Sequence, residues 1–526
     1  MQTNLADIVE HKLKDYAHTE ILSFVSINTS GEFVTETRTY QELYDNAQAL
    51  AIKLTKQGLK QHQQFAVMMN NHPEFVEAMI AAVLIGAVFV PIDPRTSGDK
   101  LAYMLAFTEC KGVISATYCQ NNIIAVAEQC PQLEWLISVS DGQTLNPVIP
   151  TTLLLSHYND IYQYSGQAFQ KALQYASAPM FLMFTSGTTG KPKAVIYSHQ
   201  KYLEVIDRIK SAGFNDDDKL YTGLSLTHIN AQNTLRTSLV LNLPAVISRK
   251  FTKSRLWDIC RYYQCTRFSL LGGMIPEIFA VAPQPNDADN PVNVVTSSGM
   301  PAHLWQDFAK RFDVSIFEVY GSTEGGSLVN PPGVGPIGSI GKPSPDWEAT
   351  ILDQKGNPCP PYQRGEICFR RKDRAPIIVP YFKDTEASSD KVRDGWLHMG
   401  DMGHMDDKGW FFFHFRTGGG VRKNGDFINT ALVESVLAKS PLIDDVFVYG
   451  VATKDTVAGE KKLVAAIVPN NKGTFSNTVF LNYCRSHLEK NDIPDIIQSL
   501  DAIPKTASEK PIEKACIEQL TKQAND

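Results

Sequence analysis

Between Met183 and His199 the chain reads MFTSGTTGKPKAVIYSH, in which the small hydroxyl and glycine residues Thr185 to Gly190 run directly into Lys191-Pro192-Lys193. Met180 to Phe184 reads as the strand that delivers this loop, and Lys193 to Tyr197 as the strand that leaves it. A loop of this composition grips an anion. Its glycines let backbone N–H groups converge, the hydroxyls of Thr185, Ser186, Thr188 and Thr189 add donors, and the lysines add positive charge. A plain solvated turn uses the same residue types but has no need of so many donors together. The P-loop of nucleotide hydrolases requires G-x-x-x-x-G-K-[S/T] opening a helix. Here Gly187 and Gly190 are too close together, Lys191 is followed by proline, and a strand follows.

The rest of the chain repeats a strand, helix, strand rhythm. An amphipathic helix follows Thr39 and stops at Gly58; Phe65–Met69 is a strand, Phe75–Ile85 a helix and Phe89–Pro91 a second strand. Gly112–Ile114, a helix from Asn121 to Gln129 and Trp135–Val139 repeat the cycle. Residues 140–178 have no clear period and read as a connection, and Lys201–Ser211 reads as a helix. Strands at Ala245–Ser248, Arg267–Leu271, Val292–Thr296 and Ser315–Tyr320 follow, the last two delivering Ser297-Ser298-Gly299-Met300-Pro301 and Gly321-Ser322-Thr323-Glu324-Gly325-Gly326. The rhythm predicts α/β architecture with parallel sheets, whose strand carboxyl ends are where ligands bind. After Pro331 short alternating strands, such as Glu366–Phe369 and Asp394–Leu397, indicate a β region, with Asp406–Gly409 a hairpin turn. The triplet Gly418-Gly419-Gly420 suits no strand or helix interior, so the boundary is expected there: a large N-terminal domain over 1–417 and a small mobile α+β domain over 418–526. In the tail, helix (431–439), strand (446–451), strand (463–468), helix (476–489) and a terminal segment are expected.

Length and charge narrow the function. With 526 residues and 43% hydrophobic content, the chain is long enough for two or more cores. Its net charge of −6 gives no global attraction for nucleic acid or anionic lipid. The nine cysteines include no C-x-x-C and no zinc spacing, and read as reduced packing residues. No signal-peptide pattern opens the sequence, and the apolar run Ala78–Pro91 is too short to span a bilayer, so a cytoplasmic location with no membrane span is expected.

Six motifs in order along essentially the whole chain resemble the adenylate-forming superfamily, which includes acyl-CoA and aryl-CoA ligases, peptide-synthetase adenylation domains and firefly luciferase. The resemblance implies that the loop from Thr185 through Ser186, Gly187, Thr188, Thr189 and Gly190 to Lys193 holds ATP phosphates. It implies that Tyr320 lies against adenine, Thr323 bonds the α-phosphate and Glu324 holds Mg²⁺, with Gly321 and Ser322 in the same nucleotide loop. A carboxylate is suited to that ion, which takes oxygen ligands. Ser298, Gly299 and Met300 resemble the segment framing adenine, Asp401 the ribose-binding aspartate and Arg416 the arginine on the ribose's other side. Lys510, in PKTASEKPIEK, matches the lysine that neutralises charge as a carboxylate attacks a phosphate. The hinge departs from the pattern, with Gly418 where the family usually carries Asp or Lys, and Glu509 replaces a glycine before Lys510.

For the acid, SLTHINAQ at 225–232 carries His228 where amino-acid-activating relatives carry an aspartate, which disfavours an α-amino acid. A core histidine is the plain alternative for His228. The stretch is most similar to bacterial carnitine-type acyl-CoA ligases. The acyl pocket is expected at His228, Asn230, Gly299 and Gly321, with His228, Thr323, Glu324 and Lys510 serving catalysis and the loop at Asn424-Gly425 the thiol step. The implied activity joins a small carboxylic acid to coenzyme A through an acyl-adenylate, with ATP and Mg²⁺. Loading a carrier-protein phosphopantetheine and a non-catalytic acyl or nucleotide sensor remain alternatives.

Overall fold

The computed structural model describes residues 4–142, 150–151, 153–185, 192–204, 213–416, 421–423, 426–428, 430–452, 461–488, 491–506 and 509–523. They form two compact units, Met1–Ser269 with Pro380–Thr385, and Leu270–Val379 with Glu386–Asp526. The fold is α/β, with parallel sheets in the large N-terminal part and a smaller α+β C-terminal part.

In the first unit a seven-stranded sheet runs Leu154–His157, Trp135–Val139, Gly112–Ala116, Gln64–Met68, Val88–Pro91, Pro179–Thr185, Lys193–Ser198. All pairs are parallel except the last, a hairpin whose arms pair up to Thr185 opposite Lys193. The helix Pro73–Ile85 shows why the sequence folds as a crossover. Proline occupies its first turn, Gly86 ends it in the left-handed region at φ 76°, and every residue but Glu74 is buried. Helix Tyr40–Lys56 is capped reciprocally by Thr39 and Glu42. A second sheet places Leu220–Thr222, Ala245–Ser248 and Glu20–Ile27 in parallel and adds Phe33–Thr39 antiparallel at the edge. The sequence reading did not identify these last two strands.

In the second unit Val294–Ser298 pairs in parallel with Ser315–Gly321, and Ser327–Asn330 and Lys342–Pro343 continue antiparallel. The β region is an antiparallel sheet of Trp347–Leu352, Gly365–Arg371, Trp396–Met405, Val392–Arg393 and Phe411–Arg416. The expected turn at Asp406–Gly409 is there, with Gly409 at φ 80° and Asp406 N–H bonded to the Trp410 carbonyl at 2.9 Å. The C-terminal sheet pairs Ile443–Val451 antiparallel with Lys462–Pro469, which takes Ile496–Ser499 in parallel. Alternation along its central strand divides two cores. Leu463, Ala465 and Ile467 pack with Val433, Leu437, Phe480 and Cys484, whereas Val464 and Ala466 pack with Leu500, Ile503 and Cys516.

Several expectations are corrected. Asp394 and Gly395 are not strand: both have positive φ, 51° and 76°, and form the two-residue turn joining Val392–Arg393 to Trp396–Met405. Residues 140–178 are more than a connection, because Leu154–His157 is an edge strand and Tyr158–Tyr164 a 3-10 helix; the edge position leaves no apolar period. The terminal segment carries the strand Ile496–Ser499 and the helix Glu513–Gln523. Of the helix expected over 201–211, His199–Leu203 is described, and 205–212 lies outside the described residues. None of the nine cysteines forms a disulfide, and all but Cys359 are buried. Among the described residues no helix is long and apolar enough to cross a membrane.

Candidate nucleotide and acid site

Each unit presents its own share of the residues singled out above. In the first, Thr185 and Lys193 face each other at the mouth of the hairpin, while Ser186, Gly187, Thr188, Thr189, Gly190 and Lys191 lie outside the described residues. The exposed Lys193 ammonium sits 3.5 Å from Asp384 and 5.3 Å from the centre of the Tyr381 ring. His228 is the extended residue that opens helix Ile229–Leu241, and its carbonyl accepts the Gln232 N–H at 3.2 Å. Asn230 lies half-buried in the helix's first turn. The segment leading to His228 is held by a residue that lies just before the helix Pro73–Ile85. Buried Asn71 donates to the carbonyls of Leu224 at 2.9 Å and Ser248 at 2.8 Å, and accepts the Leu226 N–H at 2.9 Å. Gln232 adds a second buried tie, to the Leu226 carbonyl at 2.7 Å.

In the second unit two parallel strands end side by side. Val294–Ser298 opens into Gly299, whose φ of 98° suits glycine and strains any L side chain. From the neighbouring strand, Glu318 turns its carboxylate onto this bend, accepting the Gly299 N–H at 2.5 Å and the Met300 N–H at 3.1 Å. Only 1% of Glu318 is exposed, and burial pushes its carboxyl up to about 7 although the bonds from the Gly299 and Met300 N–H groups oppose the shift. Sequence reasoning missed Glu318 because an acid inside an apolar strand gives no local sign of its partner.

The same strand carries Tyr320, whose hydroxyl donates to Asp401 Oδ2 at 2.5 Å and whose ring stacks on Phe369. Tyr320 and Asp401, 81 residues apart, are thus brought into contact. Asp401 is buried and stands directly opposite Arg416 in the ladder between Trp396–Met405 and Phe411–Arg416. Beyond Tyr320 the chain closes on itself: Ser322 Oγ donates to the Gly325 carbonyl at 3.1 Å, so Thr323 and Glu324 form the tip of a tight loop, both half-buried. Gly321 is required by close approach, since a Cβ there would stand 2.8 Å from the Gly326 carbonyl oxygen. The Glu324 carboxylate at this tip is an oxygen donor of the kind Mg²⁺ takes alongside phosphate oxygens.

A second unforeseen group stands behind Asp401. Glu366, Cys368 and His398 bring their polar atoms within 4.8 Å of one another. Glu366 is already engaged, accepting from His398 Nδ1 at 2.7 Å and from the Gly400 N–H at 2.9 Å, with Arg393 at 3.6 Å. Gly400 immediately precedes Asp401, so the cluster acts as a strut for that aspartate. No short-range pattern marks Glu366 and His398 as partners.

Lys510 lies on an exposed turn after Glu509, which takes the left-handed conformation at φ 56°. This is the position where the family pattern carries glycine, and glutamate here takes a left-handed φ that glycine adopts at no steric cost. The turn lies against Gly272-Gly273: a Cβ on Gly273 would stand 2.8 Å from the Glu509 carbonyl oxygen, and one on Gly272 would stand 2.3 Å from that of Gly299. The glycine pair therefore lets the Lys510 turn and the Gly299 bend approach adjacent residues of one segment. Gly418, Asn424 and Gly425 lie outside the described residues.

Known proteins share this fold and this order of parts. The AMP-binding enzyme family matches residues 10–376, and the AMP-binding enzyme C-terminal domain matches residues 432–510. A crotonobetaine/carnitine–CoA ligase of Salmonella enteritidis is 27% identical over 493 residues, covering 87% of this chain and 88% of its own. One from Escherichia fergusonii is 26% identical over 98% of both chains. Among solved structures, an anthranilate CoA ligase in complex with anthranoyl-AMP superposes with a TM-score of 0.84 at 20% identity, over 100% of this chain and 98% of its own. The Bacillus subtilis o-succinylbenzoate CoA synthetase with ATP and magnesium gives 0.78 at 21% identity, over 97% and 99%. The fold is that of the acyl- and aryl-CoA ligases. With its N-terminal and C-terminal portions matched in order along one chain, this protein belongs to the AMP-binding enzymes of the adenylate-forming superfamily.

Proposed function

We propose that the protein is an AMP-forming acid–thiol ligase that activates a small carboxylic acid with ATP and passes the acyl group to coenzyme A. The observation that carries this reading is the approach of the Lys510 turn to Gly273, beside the Gly299 bend and in the unit that holds the Tyr320–Asp401 pair. In the first step a carboxylate oxygen attacks the α-phosphorus of ATP and pyrophosphate leaves. Both reactants are anionic, so the Lys510 ammonium lowers the barrier by offsetting the charge that accumulates between them. Tyr320 and Asp401 orient adenine and ribose, Arg416 flanks the ribose, and Ser298, Gly299, Met300, Gly321 and Ser322 frame the nucleotide. Thr323 bonds the α-phosphate, and the loop from Thr185 to Lys193 takes the β- and γ-phosphates. Glu324 would hold Mg²⁺, which supplies neutralisation of phosphate charge when bound. In the second step the thiol attacks the acyl carbon and AMP leaves, a good leaving group where carboxylate oxygen is a poor one.

His228 and Asn230, with Gly299 and Gly321, are proposed to line the acid pocket. The similarity to crotonobetaine/carnitine–CoA ligases supports a small acid and free coenzyme A as acceptor. The domain boundary is proposed between 417 and 418, with Gly418 as the hinge and Asn424-Gly425 presented for the thiol step. A cytoplasmic setting fits these substrates. The test is pyrophosphate release from ATP and Mg²⁺ across betaine-like, aromatic, short and long acids, with coenzyme A, with a phosphopantetheinylated carrier protein and with neither. Acid-dependent release with coenzyme A-dependent thioester formation is expected. Turnover with the carrier alone would reassign the acceptor, and no release with any acid would overturn the ligase reading.

A further inference from the structure

The turn that bears Lys510 is held at a second point by a side chain the mechanism above does not use. Residues 504–506 and 510–512 pair as the two arms of a narrow hairpin. The Ile512 N–H donates to the Pro504 carbonyl at 2.8 Å, Lys505 bridges Pro511, and the Thr506 N–H donates to the Lys510 carbonyl at 2.7 Å. The Lys510 N–H in turn donates to Thr506 Oγ1 at 3.2 Å. Whatever fixes Lys505 therefore fixes Lys510 across the hairpin. The Lys505 ammonium stands between two carboxylates, Asp445 at 2.8 Å on the strand Ile443–Val451 and Glu277 in direct contact on the helix Ile275–Phe279. Its side chain is 13% exposed, and those of Glu277 and Asp445 are 27% exposed. Burial alone would lower the lysine pKa, but the two carboxylates outweigh it and hold the ammonium charged. Glu277 lies on the segment that begins at Gly272-Gly273, so the hairpin touches one short stretch twice, at Gly273 through backbone and at Glu277 through charge.

We propose that Lys505 is a positioning residue for the activation step, setting Lys510 against the Gly299 bend through its ion pair with Glu277; this rests on the ligase reading above. The two carboxylates have different parts. Asp445 belongs to the same C-terminal sheet-and-helix body as the hairpin, so its pair with Lys505 persists wherever that body goes. Glu277 lies on the other side of the boundary proposed between 417 and 418, so on that boundary its contact is made only when the hairpin is docked. An ammonium between two carboxylates carries one excess negative charge. Release of Glu277 to water leaves a neutral Lys505–Asp445 pair behind, without the uncompensated buried lysine that makes breaking a two-member pair costly. The clamp is therefore strong enough to orient Lys510 and cheap enough to open between half-reactions.

The test uses the full chain and the variants Glu277→Gln, Lys505→Ala and Lys505→Arg. Hydrogen exchange of the substrate-free protein reads docking directly, at the amides of Thr506, Lys510 and Ile512 and across residues 272–279. Glu277→Gln and Lys505→Ala are expected to speed exchange in both segments about tenfold, the loss appropriate to a partly buried pair, and Lys505→Arg to preserve protection. With crotonobetaine or benzoate as the acid, whichever the wild type activates, Glu277→Gln should slow pyrophosphate release about tenfold. Thioester formation from supplied acyl-adenylate should stay within about twofold, because a displaced lysine costs rate only where it acts. Unchanged exchange in Glu277→Gln, or equal loss in both half-reactions, overturns the proposal. A wild type that releases no pyrophosphate with any acid overturns the ligase reading instead, and the exchange data still decide the clamp.

Discussion

Glu318 offers a perturbation whose size and sign follow from its surroundings. It is 1% exposed, and burial raises its carboxyl from 4.5 to about 7 against the pull of the Gly299 and Met300 N–H groups. A folded-state value above the unfolded one means that the folded protein holds the proton to higher pH. The group's stabilising contribution is then complete below about pH 4.5 and is lost as pH rises through about 7. A shift of this size separates the two protonation states by about 3 kcal/mol. Glu318→Gln stays neutral throughout and lacks that loss. It adds a constant penalty of its own, about 1–3 kcal/mol, because its amide nitrogen faces an N–H that a carboxyl oxygen accepts. The variant should therefore be clearly less stable than wild type at pH 5 and close to it at pH 8, the gap closing by about 2–3 kcal/mol. Urea denaturation of both proteins at the two pH values, followed by tryptophan fluorescence, isolates the effect, since every other titrating group cancels in the difference. Its Michaelis constant for ATP should rise at both, because the Gly299–Met300 bend loses its anchor. A stability gap independent of pH would refute the reasoning, and with it the buried, proton-holding carboxyl.

Lys510→Ala should slow pyrophosphate release by roughly a hundredfold to a thousandfold, about 3–4 kcal/mol, yet still convert supplied acyl-adenylate and coenzyme A to thioester; equal loss in both assays would remove the lysine from the first step. Tyr320→Phe keeps the ring on Phe369 but deletes the 2.5 Å bond to Asp401. It should raise the Michaelis constant for ATP about tenfold to a hundredfold, as expected for a hydrogen bond to a charged group, with the turnover number nearly unchanged, and a turnover defect alone would contradict the orienting role. Glu324→Gln should raise the Mg²⁺ needed for half-maximal rate, whereas Asp401→Asn should raise the ATP requirement at saturating Mg²⁺. Titrating both variants with Mg²⁺ and ATP separates the roles, and identical responses would merge them.

What the sequence disclosed divides along a physical line. Elements whose signal is local were readable: the buried crossover helix ends at Gly86, where only a left-handed residue continues, and the Asp406–Gly409 turn lies between two alternating strands. Elements whose pattern depends on where they sit were not. The edge strand Leu154–His157 shows no apolar alternation because water covers much of it, and Glu20–Ile27 gains its place from a parallel partner more than two hundred residues away. Asp394-Gly395 was misread as strand because the two-residue turn it makes is too short to interrupt the apolar pattern on either side.

The site divides in the same way. Tyr320, Glu324, Asp401 and Lys510 were singled out because each falls in a run that resembles a motif of the family, in order along the chain. Glu318, Glu366, Glu277, Lys505 and Asn71 hold the segments around those residues, and each acts on a partner that sequence order conceals. Lys505 and Glu277 are 228 residues apart, and Asn71 reaches Leu224 across 153. Before folding, each is an unremarkable polar residue on a short element. After folding, burial changes what each one must do, because a charge or amide removed from water is stable only with its donors and acceptors matched. That requirement binds the holder to the segment it holds: Glu318 is stable in its strand only while the Gly299 and Met300 N–H groups face it, and the bend keeps its shape only while Glu318 accepts them. Substitutions at such positions should therefore move stability and substrate binding together. Substitutions at Lys510, which lies on an exposed turn, should move rate with little change in stability.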